Sequence, residues 1–232
     1  MKHLTVIQHT SADYLGLMED HLEGRRIGFS YFRPFTSGGK LPEAEAITDG
    51  LILLGGGPWG SVGDRIVPNL DAEIRLARMC LMLEKPVIGI GLGAQILSLA
   101  ADGGASPAPL QFSTGHARRE LDDALNGYLP LTSPHVVYMR DRPEPPAYAR
   151  ILARDESGHP AIFQIGQSAI GFTGHPGFKL AMAEDLVMEF EESPENPAPR
   201  FTALGQMKHE MEDALVPIMT GIIQLTGWMN KN

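Results

Sequence analysis

The chain of 232 residues has one cysteine, Cys80, so no internal disulfide can form and a reducing cytoplasm is the expected compartment. Long hydrophobic runs are missing too. None approaches the roughly 18 residues that span a bilayer, and the opening Met1-Lys2-His3-Leu4-Thr5-Val6-Ile7-Gln8-His9 turns polar too early for a signal peptide. A soluble cytoplasmic protein is expected. Basic charge is scarce, 19 Lys and Arg against 28 Asp and Glu, and the net charge of −9 argues against nucleic acid or an anionic membrane as partner. The one local basic cluster, His116-Ala117-Arg118-Arg119, runs into Glu120, Asp122 and Asp123 and reads as a solvated helix start. Metal-ligand spacing is absent as well: the eight histidines form no His-x-x-x-His pair, and the acids form no loop pattern. Neither a metal nor a cofactor is expected.

What is present suits a globular chain. A hydrophobic content of 43% and a charged content of 20% fit one larger α/β domain over residues 1–232. Leu4 to Gln8 is rich in β-formers and reads as a first buried strand. Leu15, Leu17, Met18 and Leu22 then recur at helical spacing from Asp13 to Leu22, and Arg26 to Phe32 reads as a second strand. Gly50-Leu51-Ile52-Leu53-Leu54 is a continuous apolar run, as in parallel strands buried on both faces. A helix follows from about Pro68 to Leu83, with Leu70, Ile74, Ala77 and Leu81 as its inner stripe. On that helix Cys80 has no basic neighbour to activate it, which makes it a packing residue.

The most informative stretch runs from Lys85 to Ala100. A short apolar run enters Gly89-Ile90-Gly91-Leu92-Gly93 and leaves as a helix to about Ala101. Such a strand-turn-helix is the geometry of a nucleophile elbow, which presents one exposed side chain at the top of a sheet. Here that position is Gly91, which has none. The earlier run Gly55-Gly56-Gly57-Pro58 is a second glycine turn at a strand end, so both should face one cleft at the carboxyl ends of the strands.

The remainder is less regular. Seven prolines interrupt Ser106 to Pro146, within which Val136 to Met139 reads as a strand. Three short runs, Ile151–Ala153, Ala161–Ile165 and Ala169–Phe172, suggest an antiparallel set ending in Thr173-Gly174-His175-Pro176-Gly177-Phe178. That setting places His175 in a fixed, exposed loop. A helix from Leu180 to Glu192 and a long element from Phe201 to Met229 close the chain, with a break or kink expected at Pro217. Met207, Met211, Met219 and Met229 on the last element read as packing or dimer contacts, which allows a homo-oligomer.

These motifs resemble the class I glutamine amidotransferase domains, which pair a Gly-x-Cys-x-Gly-x-Gln elbow with a later His-Pro-Glu. Three stretches carry the resemblance in order: Asp49 to Pro58, Lys85 to Gln95 and Gln164 to Pro176. It implies a mainly parallel, doubly wound, flavodoxin-like sheet with helices on both faces and an added antiparallel β segment. It also implies an oxyanion-type pocket of the Gly56 or Gly57 and Leu92 amides with Gln95 and His175. Gly91 then stands at the cysteine position and Gly177 at the glutamate position, while the histidine is kept as His175. No catalytic residue is expected on this reading, because a cysteine hydrolase without thiolate and orienting carboxylate loses its covalent route.

The expected function is therefore a catalytically deficient homologue binding a small amide, γ-glutamyl or carboxylate ligand at Gly56, Gly57, Gly91, Leu92, Gln95 and His175. It would act alone or as a subunit or regulator of a partner synthetase. Two other readings are open from the residues. One is an active hydrolase using His175 as base for water, with Asp141 or Glu184 as carboxylate. The other is a dinucleotide site, since Gly89-x-Gly91-x-x-Ala94 fits the Gly-x-Gly-x-x-Gly/Ala fingerprint, although no acid-tipped second strand follows.

Overall fold

The structure is a computed structural model that describes residues 2–229. Eleven strands form in chain order: β1 (His3–Ile7), β2 (Gly28–Phe32), β3 (Leu51–Leu53), β4 (Val87–Ile90), β5 (Gly104–Ser106), β6 (Gln111–Arg119), β7 (Thr132–Met139), β8 (Arg142–Glu144), β9 (Arg150–Asp155), β10 (Pro160–Ile165) and β11 (Ala169–Phe172). The α-helices are α1 (Met18–Glu23), α2 (Leu70–Met82), α3 (Leu92–Ala100), α4 (Leu180–Glu189), α5 (Ala198–Gln206) and α6 (Lys208–Thr226).

Nine strands make one sheet in the order β2-β1-β3-β4-β11-β10-β9-β6-β7. The first five are parallel and the pairings from β11 to β7 are antiparallel. Alternation along β1 shows why helices cover both faces. Leu4 and Val6 join the core beside α1 and α6, while Ile7 joins the core beside α2 and α3. This is the mixed α/β architecture expected from the sequence. The strand order reverses between β1 and β3, and a ligand crevice in such sheets opens at the carboxyl ends of the two strands flanking that reversal.

Several local expectations need correcting. The helix expected from Asp13 is only Met18–Glu23, because Asp13 to Leu17 is a loop docked on the later His-Pro-Gly turn. Leu17 N–H donates to Gly177 O at 2.9 Å, and Gly16 (φ +62°) approaches so closely that a Cβ there would collide with the same carbonyl. The inner stripe of α2 is Glu73, Leu76, Ala77 and Cys80, a rotation that carries Glu73 inward to a buried histidine. The His116–Arg119 cluster is the end of strand β6, where Ala117 is buried opposite Ser133 of β7.

Strand β6 reads from its basic end as a helix start, β8 is not read as a strand, and β7 begins at Thr132, four residues before the Val136–Met139 run expected from the sequence. Pro134 lies on β7, the outer strand of the sheet, and Pro143 on β8 of the two-stranded β5–β8 ribbon, places where a missing N–H is tolerated. That ribbon is pinned to α3 by Ser98 Oγ, which donates to Glu144 O (2.6 Å) and lies 3.0 Å from Gly104 O. The break in the C-terminal element falls at Met207, whereas Pro217 sits inside α6. The carbonyl that Pro217 leaves unbonded belongs to the exposed Asp213, where water can take it. Met211 and Met219 are buried packing residues, whereas Met229 is exposed.

Candidate functional site

The elbow forms as its glycines require. Gly91 has φ +56° and ψ −114°, a conformation that L side chains rarely adopt, and it connects β4 directly to α3. Its N–H donates to Phe172 O of β11 at 2.8 Å, which ties the elbow to the strand leading to His175. A Cβ added at Gly91 would meet only Gly55 Cα, at an ordinary 3.4 Å. The position assigned to a nucleophile thus keeps its backbone geometry and its space.

Gly56, Gly57, Gly91 and Leu92 are brought together and buried. Of the first-turn amides of α3, Gly93 N–H donates to Leu54 O (3.1 Å), and those of Ala94 and Gln95 fold back on Gly91 O. Among the described residues, the amides of Gly55, Gly56, Gly57 and Leu92 have no hydrogen-bond acceptor. Leu92 begins α3 and lies against Gly56, and unbonded donors beside a helix N-terminus suit a carbonyl oxygen or an anion.

Two residues expected in the pocket serve the scaffold. Gln95 is fully buried: its Oε1 accepts from Ser61 Oγ (2.5 Å) and its Nε2 donates to Arg140 O (2.7 Å). His175 lies at the same end of the sheet but is 6% exposed, against the expected open loop. Its Nε2–H donates to Tyr14 O at 2.8 Å, and its Nδ1 accepts from Gly177 N–H at 3.1 Å. Burial without a carboxylate partner drives its pKa down to about 4, so the ring is neutral and committed at both nitrogens. Gly177 is tightly enclosed, since a Cβ would meet Leu15 O, Met18 N and Met18 Cγ at 3.0 Å, so a larger residue needs that loop to shift.

The other carboxylates named from the sequence are also accounted for. Asp141 Oδ2 accepts from the Ser61 and Val62 amides (3.1 Å each) and Oδ1 from Ala108 N–H (3.2 Å), while Glu184 is exposed on α4. The dinucleotide fingerprint lacks its βαβ unit, because α3 leads into β5, which pairs antiparallel with β8.

The sequence reading missed a buried polar group beside the glycine turn. His9, just beyond β1, has Nδ1 3.0 Å from Gly55 O and Nε2 2.7 Å from Glu73 Oε2. Burial pulls the His9 pKa down, but the Glu73 charge and hydrogen bond outweigh it and raise the value. Asp13 is packed on Gly55, where a Cβ would collide with its Oδ2. Burial, opposed by His9 and aided by Glu189, pushes the Asp13 carboxyl up to about 7. The only sequence signal was the polar Gln8-His9-Thr10 placed immediately after a buried strand.

The end of α4 and the residues after it close over this region. Glu189 Oε1 and Oε2 accept from the Ser11 and Ala12 amides (3.3 Å each), and Leu186 and Phe190 lie beside Gly57. Glu192 pairs with both Arg140 and Arg65, and Arg140 Nε donates to Pro58 O at 2.8 Å. A separate cavity of about 330 Å³ lies away from the elbow, lined among others by His135, Arg142, His159 and Thr173.

Comparison with known proteins places the fold. No family model matches the chain. The GMP synthase (glutamine-hydrolysing) of Aeropyrum pernix is 33% identical over 167 residues, which are 67% of this chain and 30% of that protein; the matched region is thus under a third of its length. A solved glutamine amidotransferase from Thermotoga maritima superposes with a TM-score of 0.82 at 19% identity, over 97% of this chain and 98% of that one. Another, from Methylobacillus flagellatus, gives 0.82 at 21% identity, over 97% and 95%.

Proposed function

We propose that this chain, which has the fold of the glutamine amidotransferases, binds a small amide or γ-glutamyl ligand at its elbow without cysteine-dependent glutamine hydrolysis. One observation carries the reading: the elbow keeps its strained turn and unbonded amides at Gly56, Gly57 and Leu92, yet its nucleophile position is Gly91. The donors can hold a carbonyl oxygen, and there is no thiolate to attack it.

Hydrolysis by His175 finds no support in the geometry. A general base needs a free nitrogen within reach of its proton, and both His175 nitrogens are engaged. Cytoplasmic service as a subunit or regulator of a partner synthetase fits the match to part of a GMP synthase. The purified chain, given L-glutamine, is expected to bind it in calorimetry and to release no ammonia above background. Ammonia release at the rate of ordinary amidotransferases would overturn the proposal. Co-elution with a synthetase from native extract would support the partner role.

A further inference from the structure

The crevice where the strand order reverses is lined by the loop after β1 and the Gly55–Gly57 turn after β3. Asp13 lies on the loop after β1 with its carboxyl packed on the Gly55 turn. The residue is 3% exposed, its Oδ2 lies against Gly55, and its Oδ1 has no hydrogen-bond partner among the described residues. The Tyr138 hydroxyl on β7 is likewise buried and unpartnered, and burial, followed by the charges of Glu192 and Asp13, raises its pKa. Buried polar atoms ordinarily find partners, so the orphaned Asp13 carboxyl, packed on Gly55 at the start of a run of unbonded amides, forms with them an incomplete hydrogen-bonding set. Gly91 joins the same place, since its missing Cβ would stand 3.4 Å from Gly55 Cα.

The unmet groups have a definite complement. The amides ask for an oxygen acceptor, and an ionised Asp13 asks for a donor. A primary carboxamide presents both on one carbon, whereas a carboxylate presents only acceptors. We propose that Asp13 reads the nitrogen of a primary carboxamide whose oxygen is held by the Gly56, Gly57 and Leu92 amides, and so distinguishes an amide from the corresponding acid. The inference rests on the amide-binding reading above and assigns its specificity to a residue outside the elbow motif.

The charged neighbours of Asp13 are fixed. His9 is paired with Glu73 behind Gly55, Glu189 is bonded to the Ser11 and Ala12 amides, and Glu192 is paired with Arg65 and Arg140. With the Asp13 carboxyl at about 7, the sign of the pH dependence reports the ligand class. Above that pH an ionised Asp13 accepts an amide N–H; below it a protonated Asp13 donates to a carboxylate.

The test is calorimetric titration of the full chain with L-glutamine and L-glutamate between pH 6 and 8. Glutamine affinity is expected to rise with pH, up to about tenfold across that range, and glutamate affinity to fall. In Asp13→Asn the glutamine trend disappears and its affinity drops, while glutamate gains a donor and binds better. Tyr138→Phe, which removes the other orphan without touching a charge, weakens glutamine and preserves the pH trend. A glutamine trend that persists in Asp13→Asn overturns the assignment and moves it to the His9–Glu73 pair. Equal slopes for both ligands also overturn it. Failure of L-glutamine to bind the wild type at any pH overturns the amide-binding reading itself.

Discussion

His175 Nε2 and the carbonyl of Tyr14 are 2.8 Å apart although 161 residues separate them in the chain. The bond turns the histidine toward the loop before α1, and Gly177 N–H closes the other nitrogen. A side chain that the motif would make a base is here part of the packing between two loops.

This has a pH signature. The folded pKa of His175 lies near 4, below the 6.5 of an unfolded histidine, so between those values the unfolded state binds more protons. Its contribution to stability is complete above pH 6.5 and is lost as pH falls toward 4, by about 3 kcal/mol. His175→Asn should cost about 1–3 kcal/mol at pH 7 through the broken bonds, and the variant's denaturant-derived stability should lack this acid-side loss.

Asp13 works in the opposite sense. Its folded pKa of about 7 exceeds the 3.8 of an unfolded aspartate, so the folded state binds more protons between them. Stability from this group is full below pH 3.8 and is lost as pH rises through 7. Asp13→Asn should therefore be more stable than the wild type at pH 8, by on the order of 3–4 kcal/mol, with the gain vanishing near pH 4. In the wild type the two residues offset each other between pH 4 and 6.5, and each substitution exposes the slope of the other.

The sequence was legible where chemistry is local. Glycines at 89, 91 and 93 can be read as an elbow because each meets a backbone demand within a few residues, and Gly91 has the positive φ that such a turn needs. The buried runs at β1, β3 and β4 are equally local. Pairings across the chain were not legible: Val136 to Met139 reads as a strand, but its extension back through Pro134 depends on the place of β7 at the sheet edge. The burial of His175 depends on Tyr14, and the place of Asp13 depends on Gly55. Neither partner is signalled by spacing, because the sheet alone brings those loops together.

Cys80 offers a simple check on the core. It is fully buried on α2, and burial, opposed weakly by Lys85, pushes its thiol up to about 11. Since the thiolate is the reacting species, native protein at pH 8 should resist iodoacetamide, and a denaturant should release one labelled thiol by mass. Rapid labelling of the native chain would contradict the packing of α2 against the sheet.

The Glu192 pairs hold the segment after α4 over the glycine turn, and all three side chains are partly exposed. Exposed pairs are worth little each, so Glu192→Gln should lower stability by no more than about 1 kcal/mol. Its larger effect should be local. Hydrogen exchange at the Ser11 and Ala12 amides, bonded to Glu189 at the end of α4, should quicken while exchange in β1 stays unchanged.

Gly91→Cys separates binding geometry from chemistry. The added Cβ has room, 3.4 Å from Gly55 Cα, but the residue must keep φ +56° and ψ −114°, at a cost of about 1–3 kcal/mol. The new thiol would stand at the N-terminus of α3 beside unbonded amides, a setting that lowers a thiol pKa. It should therefore be alkylated once by a glutamine-like chloroketone, seen as a single adduct by mass spectrometry. Turnover should not follow, because His175 is held by Tyr14 and Gly177, and Gly177, crowded by Leu15 and Met18, supplies no orienting carboxylate. Steady ammonia release from L-glutamine by Gly91→Cys, abolished in the double variant with His175→Asn, would show that the histidine can leave its partners and act as a base.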